Sequence, residues 1–441
     1  MQKLFTDFKP NTAAEWKAQL IKDLRGEAYE SLVWQNENGF GIKPLYTSED
    51  LAQDYLPAFS HADWEIAVAA RPGDEKTINA QLLRQLSAGA ASVWLHCSGL
   101  DLVRALEGVQ LNHIQSVFFL DAPSVPVLKQ YLGAHYDLAE LRCTLLPERL
   151  DSAEALRQWA EAVEVFRGHK TIRTSGVDVL PFHHQGCLPY YEVALVMSQL
   201  TEYLEYYSQQ PSGWPGTEFV VRTGVSADYF VQMTKLRAIR RLWNLLRQEY
   251  GVTSPLYLLV ETSLCNKSIS DNYNNLLRTT VEAMAAVAGG CNELLVTPFD
   301  ELFPVRPVLS ERLAVNQQLI LKEESYLNRI ADVACGSYYL EHLTDEIARK
   351  ALETFKGFEA EGGYFQALKK GLFSAEIAAQ AARTEERIRS GEQVVIGVNR
   401  FRNEAEKIDL GTFRETAMKE AGIHNPVLNF ELEHYFKPKD A

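Results

Sequence analysis

From residue 64 to residue 298 the sequence repeats one pattern: a short run of apolar and β-branched residues, a turn, then a longer stretch with helical periodicity. The short runs fall over 64–69, 92–97, 116–120, 141–145, 171–174, 218–225, 256–262 and 293–298. Most are continuously apolar instead of alternating, as strands covered on both faces must be. Parallel strands need a crossover between them, and a helix is the usual one. Eight such units are the number that closes a barrel. The expected fold class is therefore α/β, a (β/α)8 TIM barrel.

The crossover that follows residue 225 is the clearest helix. Phe230, Met233, Leu236, Leu242, Trp243 and Leu246 recur on one face, with Lys235, Arg237, Arg240 and Arg241 as the expected polar complement. Ser226 is the expected N-cap and Gly251 the expected stop. The next helix, over 272–288, runs through Leu276, Leu277, Val281 and Met284 to Gly289-Gly290. Outside the repeat, a helix over 14–24 carries Trp16, Leu20, Ile21 and Leu24 but has too little apolar content around it for a domain of its own. Residues 1–45 therefore read as an N-terminal arm that lies on something larger. Beyond residue 313 the pattern is helical, over 313–331, 344–362, 365–370 and 374–390. The expected organisation is an arm over 1–45, a barrel with helical additions over 46–390, and a C-terminal extension or linker over 391–441.

Charge and cysteine usage narrow the function classes. With 44 Lys plus Arg against 58 Asp plus Glu, the net charge of −14 argues against a nucleic-acid binder, which relies on clustered cations. No apolar run approaches the roughly 18 residues of a membrane span, and residues 1–10 lack the apolar stretch of a signal peptide. Six scattered cysteines without a CxxC pair suit a reducing compartment, so the expected location is the cytoplasm.

Candidate chemistry is sparse. No HExxH, GxSxG or Walker A pattern occurs, and no metal-ligand cluster is expected. His183 and His184 are adjacent, so they cannot both ligate one compact metal site; either is a candidate general acid or hydrogen-bond donor near the fifth strand, or a loop histidine satisfied by backbone. Asp300 and Glu301 follow the eighth strand, where barrel enzymes keep polar groups, or they begin the next helix and favour its dipole. Arg278 and Thr279 read as structural. Gly362-Gly363 and Gly397 read as turn glycines without a dinucleotide-loop context.

Six segments in the same order carry a resemblance: GIKPLYTSEDL (41–51), MTKLRAIRRLW (233–243), DNYNNLLRTTVEAMAAVAGG (271–290), VTPFDE (296–301), NQQLILKEESYLNRIADVACGSYYLEHLTDEIA (316–348) and SGEQVVIGVNRF (390–401). Together they resemble the methylmalonyl-CoA mutase family over nearly the whole chain. The resemblance implies an arm that wraps a partner subunit, an acyl-CoA mutase barrel, and adenosylcobalamin as the cofactor of the complex. In the family a separate flavodoxin-like domain supplies a histidine to cobalt from a D-x-H-x-x-G motif. None of the 10 histidines here follows an aspartate by two positions, so the resemblance implies that cobalamin is bound mainly by the partner and not tightly by this chain.

Departures inside the barrel sharpen the reading. Aligning VLKQYLGAH with the family motif TIQNDILKEYMVRG puts Ser124 at its glutamine and Ala134 at the arginine that in catalytic members pairs with the substrate carboxylate, and a methyl group cannot make that fork. Leu180 and Pro181 fall at the family's tyrosine and histidine, with His183 two residues later, whereas Glu301 matches a glutamate that faces the adenosyl group. These substitutions resemble those of a small, non-catalytic mutase subunit whose partner is a large catalytic one in a heterodimer interconverting methylmalonyl-CoA and succinyl-CoA. A barrel axis no longer holding an acyl-CoA chain is then expected to be closed by side chains. The alternative is the catalytic barrel of a split acyl-CoA mutase that takes cobalamin from a separate small subunit.

Overall fold

The computed structural model describes residues 9, 11–51, 55–303, 308–403, 405 and 423–434. The expected tail over 391–441 and the mixed N-terminal segment thus lie partly outside the described residues. After a short antiparallel pairing of β1 (Trp34–Gln35) with β2 (Gly41–Ile42), the repeat forms one parallel sheet. Its strands are β3 (Glu65–Ala69), β4 (Ser92–His96), β5 (Gln115–Leu120), β6 (Arg142–Pro147), β7 (Ile172–Arg173), β8 (Ser175–Asp178), β9 (Phe219–Val225), β10 (Leu256–Thr262) and β11 (Glu293–Leu295). The spatial order is β7-β6-β5-β4-β3-β11-β10-β9-β8.

The two ends of that order are consecutive in sequence. The expected fifth strand is split at Thr174: β7 pairs with β6, β8 pairs with β9, and the ring closes through the residue between them. Thr174 leaves the ladder because its carbonyl accepts the indole N–H of Trp159 at 2.9 Å. All eight expected strands are therefore present, one of them in two pieces.

Helices run from the carboxyl end of each strand to the amino end of the next. Asp74, Asp101 and Ser152 cap three of them through side-chain oxygens. The helix Tyr229–Glu249 starts from Asp228, not Ser226: the Asp228 carboxylate accepts the Val231 N–H, whereas the Ser226 hydroxyl accepts from Gln232. Beyond the barrel, the long helix Tyr338–Ala360 packs on Pro189–Ser208 and on Tyr229–Glu249, adding a second helical layer on that side. The segment expected as one helix over 313–331 is instead the helix Val308–Leu319, a π-helical turn Ile320–Glu324 and a short turn Leu327–Arg329. Among the described residues no helix is long and apolar enough to cross a membrane.

Candidate functional site

The interior of the barrel is filled in layers. At the amino-terminal end Glu293, fully buried, accepts hydrogen bonds from Ser92 Oγ, Trp94 Nε1 and Tyr257 Oη, and the Arg173 guanidinium stacks 3.6 Å from the Tyr257 ring centre. The middle is apolar, with Trp94, Val117, Phe119, Leu146, Val220 and Leu259 in one buried cluster. Toward the carboxyl-terminal mouth Arg222 crosses the bore. Its Nη1 donates to Asp178 and its Nη2 to Glu261, each at 3.0 Å, and the guanidinium lies 4.5 Å from the Phe119 ring centre and 5.6 Å from that of Trp94. Burial raises the Glu261 carboxyl above its ordinary value, even though Arg222 pulls in the other direction.

Beside the mouth, the short helix Leu180–His184 carries both candidate histidines. His183 is buried with both ring nitrogens engaged: Nδ1 lies 2.8 Å from Glu192 Oε1, and Nε2 lies 2.9 Å from Ser263 Oγ. Glu192 is also paired with Lys235, whose ammonium donates to the Gly224 carbonyl as well. Burial alone would raise Glu192, but Lys235 and His183 offset it and hold the carboxyl below its usual range. Gly224 is required here, because a Cβ at that position would collide with the imidazole of His183. Burial holds the His184 imidazole well below its ordinary value, with Arg222 and Lys267 adding to the effect, and its ring centre lies 5.9 Å from that of His183. The two rings diverge, as adjacent residues must.

Glu301 lies at the carboxyl-terminal side of the barrel, 3.4 Å from Arg71 Nη2, and lines a cavity of about 180 Å³ with Glu261, Gln85 and Glu311. Asp300 and Glu301 belong to a turn that follows the eighth expected strand, β11. Ala134 calls for a correction. It is exposed on the last turn of the helix Val125–His135, at the amino-terminal end of the barrel, so no side chain there reaches the mouth and its identity says nothing about carboxylate binding. Ser124, in contrast, does sit in the turn at the carboxyl end of β5. Leu180 is buried and Pro181 exposed. Arg278 is structural, donating to Asn275 Oδ1 and to the Ile396 carbonyl, each at 2.7 Å. Among the described residues no group of His, Cys, Asp and Glu is arranged to hold a metal ion.

The residues that dominate the mouth, Arg222, Glu261 and Asp178, were not picked out by sequence motifs. Their signal was a single charge inside an otherwise apolar strand, as in FVVRTGV and LYLLVET. A charge there must face a buried partner. Glu192 and Lys235 gave weaker signals, since each occupies a helix where a charge is normally solvated.

Comparison with known proteins agrees with this architecture. The family model described as methylmalonyl-CoA mutase matches residues 148–425. A protein named methylmalonyl-CoA mutase small subunit from Porphyromonas gingivalis is 26% identical, the alignment covering 91% of this chain and 71% of that one. The protein of the same name from Streptomyces virginiae is 31% identical, with coverages of 86% and 67%. The methylmalonyl-CoA mutase large subunit of Streptomyces virginiae is 26% identical over 90% of this chain and 63% of that one. On the extent of these matches and its closed parallel barrel, this chain belongs to the methylmalonyl-CoA mutase family.

Proposed function

We propose that this chain is a small, non-catalytic subunit of an adenosylcobalamin-dependent methylmalonyl-CoA mutase, supporting a large catalytic subunit in a cytoplasmic heterodimer. The observation that carries the reading is the closed bore: Arg222, held by Asp178 and Glu261 above Phe119 and Trp94, occupies the axis that an acyl-CoA chain would need. Opening it would strand a buried guanidinium and two carboxylates. The residues present do not fit the cofactor. Glu301, the candidate for the adenosyl side, is engaged by Arg71, and both nitrogens of His183 are taken. Cobalamin is therefore assigned to the partner, and His183 and His184 are assigned no catalytic step.

Two surfaces support a partner. The helix Ala13–Asp23 in the proposed 1–45 arm buries none of its residues within this chain. The helix Asn274–Ala288 and the residue before it present Tyr273, Leu277 and Val281 in a row, 69%, 65% and 40% exposed. An apolar row at spacing of four is one stripe of a helix, and such stripes mark protein contacts when they are uncovered. The proposed barrel unit over 46–390 and linker over 391–441 complete this assignment.

Native purification followed by mass spectrometry tests the assembly. Recovery of a large barrel-plus-cobalamin chain is expected; recovery of only a small cobalamin carrier would instead identify this barrel as the catalytic part of a split mutase. Calorimetric titration with methylmalonyl-CoA and succinyl-CoA tests the bore. No binding is expected, and a micromolar Kd, near about −8 kcal/mol, would overturn the closed-bore reading.

A further inference from the structure

On the carboxyl-terminal side, between the barrel and the segments that cover it, lies a cavity of about 360 Å³ that the proposed subunit role does not use. Its wall brings together Trp34 and Glu37 from the β1–β2 hairpin, Asp228 at the cap of the helix Tyr229–Glu249, Gln232 one turn further on, and Arg387 from the helix Leu372–Ser390. We propose that this cavity binds a small organic ammonium ion, held by Glu37, Asp228 and the side-chain carbonyl of Gln232, with the Trp34 ring at its rim.

Three features point to an ammonium. First, hydrogen-bond acceptors are in excess. Gln232 is 1% exposed and its Nε2 donates to Ser226 Oγ at 3.0 Å, but among the described residues its Oε1 has no partner, and the Oε1 of Gln393 in the same wall has none either. A buried carbonyl oxygen without a donor costs free energy that an N–H donor would recover. Second, Glu37 and Asp228 both line the cavity, and the guanidinium of Arg387 in the same wall is shared: it lies 3.5 Å from Glu37 and 3.0 Å from Glu392. Third, an indole beside carboxylates is the combination that recognises alkylammonium groups through cation–π attraction and charge. Burial raises both carboxyls, with Asp228 adding to the effect on Glu37, and a cation between them would offset that cost. The other titratable groups in the wall are His183, already bonded to Glu192 and Ser263, His424, and the thiols of Cys187 and Cys265, both pushed up by burial. Because Trp34 and Glu37 come from the hairpin and Asp228 from the barrel, the ligand would also tie the hairpin down.

The test is calorimetric titration of the full chain with choline, ethanolamine and 1,4-diaminobutane, with acetate and glycerol as controls. At pH 8 at least one ammonium should bind one to one with a Kd below about 1 mM, and the controls should give no heat. Binding should weaken as pH falls and the two raised carboxyls take up protons. Glu37→Gln, Asp228→Asn and Gln232→Leu should each weaken it by about tenfold or more, with thermal melts confirming that each variant is folded. Asp228→Asn retains a capping side chain, and Glu37→Gln lies outside the barrel core, so folding and binding are separable. Failure of all three ammonium probes to bind the unmodified chain overturns the proposal. So does binding that all three substitutions leave unchanged.

Discussion

Two neighbouring barrel helices invert the usual rule of charged outside and apolar inside. Tyr229–Glu249 buries Lys235, Arg237 and Arg240, whereas Asn274–Ala288 buries Asn275, Thr279 and Glu282 and exposes Leu277 and Val281. The polar complement expected for the first helix is thus largely interior, and two of the apolar residues expected to anchor the second face outward. The difference lies in what covers each helix. The first is sandwiched between the barrel and the outer helix Tyr338–Ala360, with its neighbour Pro189–Ser208 packed alongside, so both of its faces are interior. Each buried cation then has an assigned acceptor. Arg237 pairs with Glu341 and Asp332, Lys235 with Glu192, and Arg240 donates to the Leu256 and Gly290 carbonyls. The second helix has no such layer over its row of apolar residues within the described chain, and we assign that row to the partner.

The comparison breaks most readily at the buried charges. Glu341 pairs with both Arg237 and Arg241, so Glu341→Ala should lower unfolding stability in urea by about 3–5 kcal/mol. The triple variant Arg237→Met, Asp332→Asn and Glu341→Leu should recover much of that loss, because it removes the buried network whole and leaves Arg241 its other partner, Asp345. A loss under about 1 kcal/mol for the single variant would mean that the helix face is solvated after all.

Glu192 probes the same layer through pH. Its folded value is depressed relative to an unfolded glutamate at about 4.3. Its contribution is therefore complete above that value and is lost as pH falls through the folded one. Glu192→Gln should cost about 1.5–3 kcal/mol at pH 7, the worth of hydrogen bonds to a charged group, and the gap to the unmodified chain should close as pH falls below about 4.3 and through the depressed folded value. A gap independent of pH would show that Glu192 is not the anion that Lys235 and His183 face.

A smaller effect is expected from Gly224→Ala, which pushes a methyl group against the His183 ring: about 1–3 kcal/mol of overpacking, read from the melting curve. Indifference to this change would place the imidazole elsewhere. The smallest effect on the chain itself belongs to the second helix. Leu277→Glu with Val281→Asp should change the stability of the isolated chain by no more than about 0.5 kcal/mol. Sedimentation analysis with the large subunit should nevertheless show association lost. Unchanged association would move the contact to another surface.

The number and order of the barrel strands were legible in the sequence because burial on both faces demands continuous apolar runs, and runs such as 256–262 match the observed strand to the residue. The split of the fifth strand was not legible, since it depends on Trp159, 15 positions before Thr174, reaching that carbonyl. At the mouth, the sequence displayed Arg222 and Glu261 as isolated charges but could not say that they face each other, because strand register is set only when the ring closes. His183 was visible as a candidate, yet its role as a buried link between Glu192 and Ser263 needed three separate elements brought together.

Local periodicity by itself determined that this chain builds a parallel barrel with helical additions, since strand and helix each impose their own repeat on any buried face. It could not determine which helix faces are buried. Periodicity reports one apolar stripe, whereas burial depends on every element that packs around a helix, and only the tertiary structure brought Glu192, Asp332 and Glu341 to the cations of Tyr229–Glu249 while leaving Leu277 and Val281 uncovered.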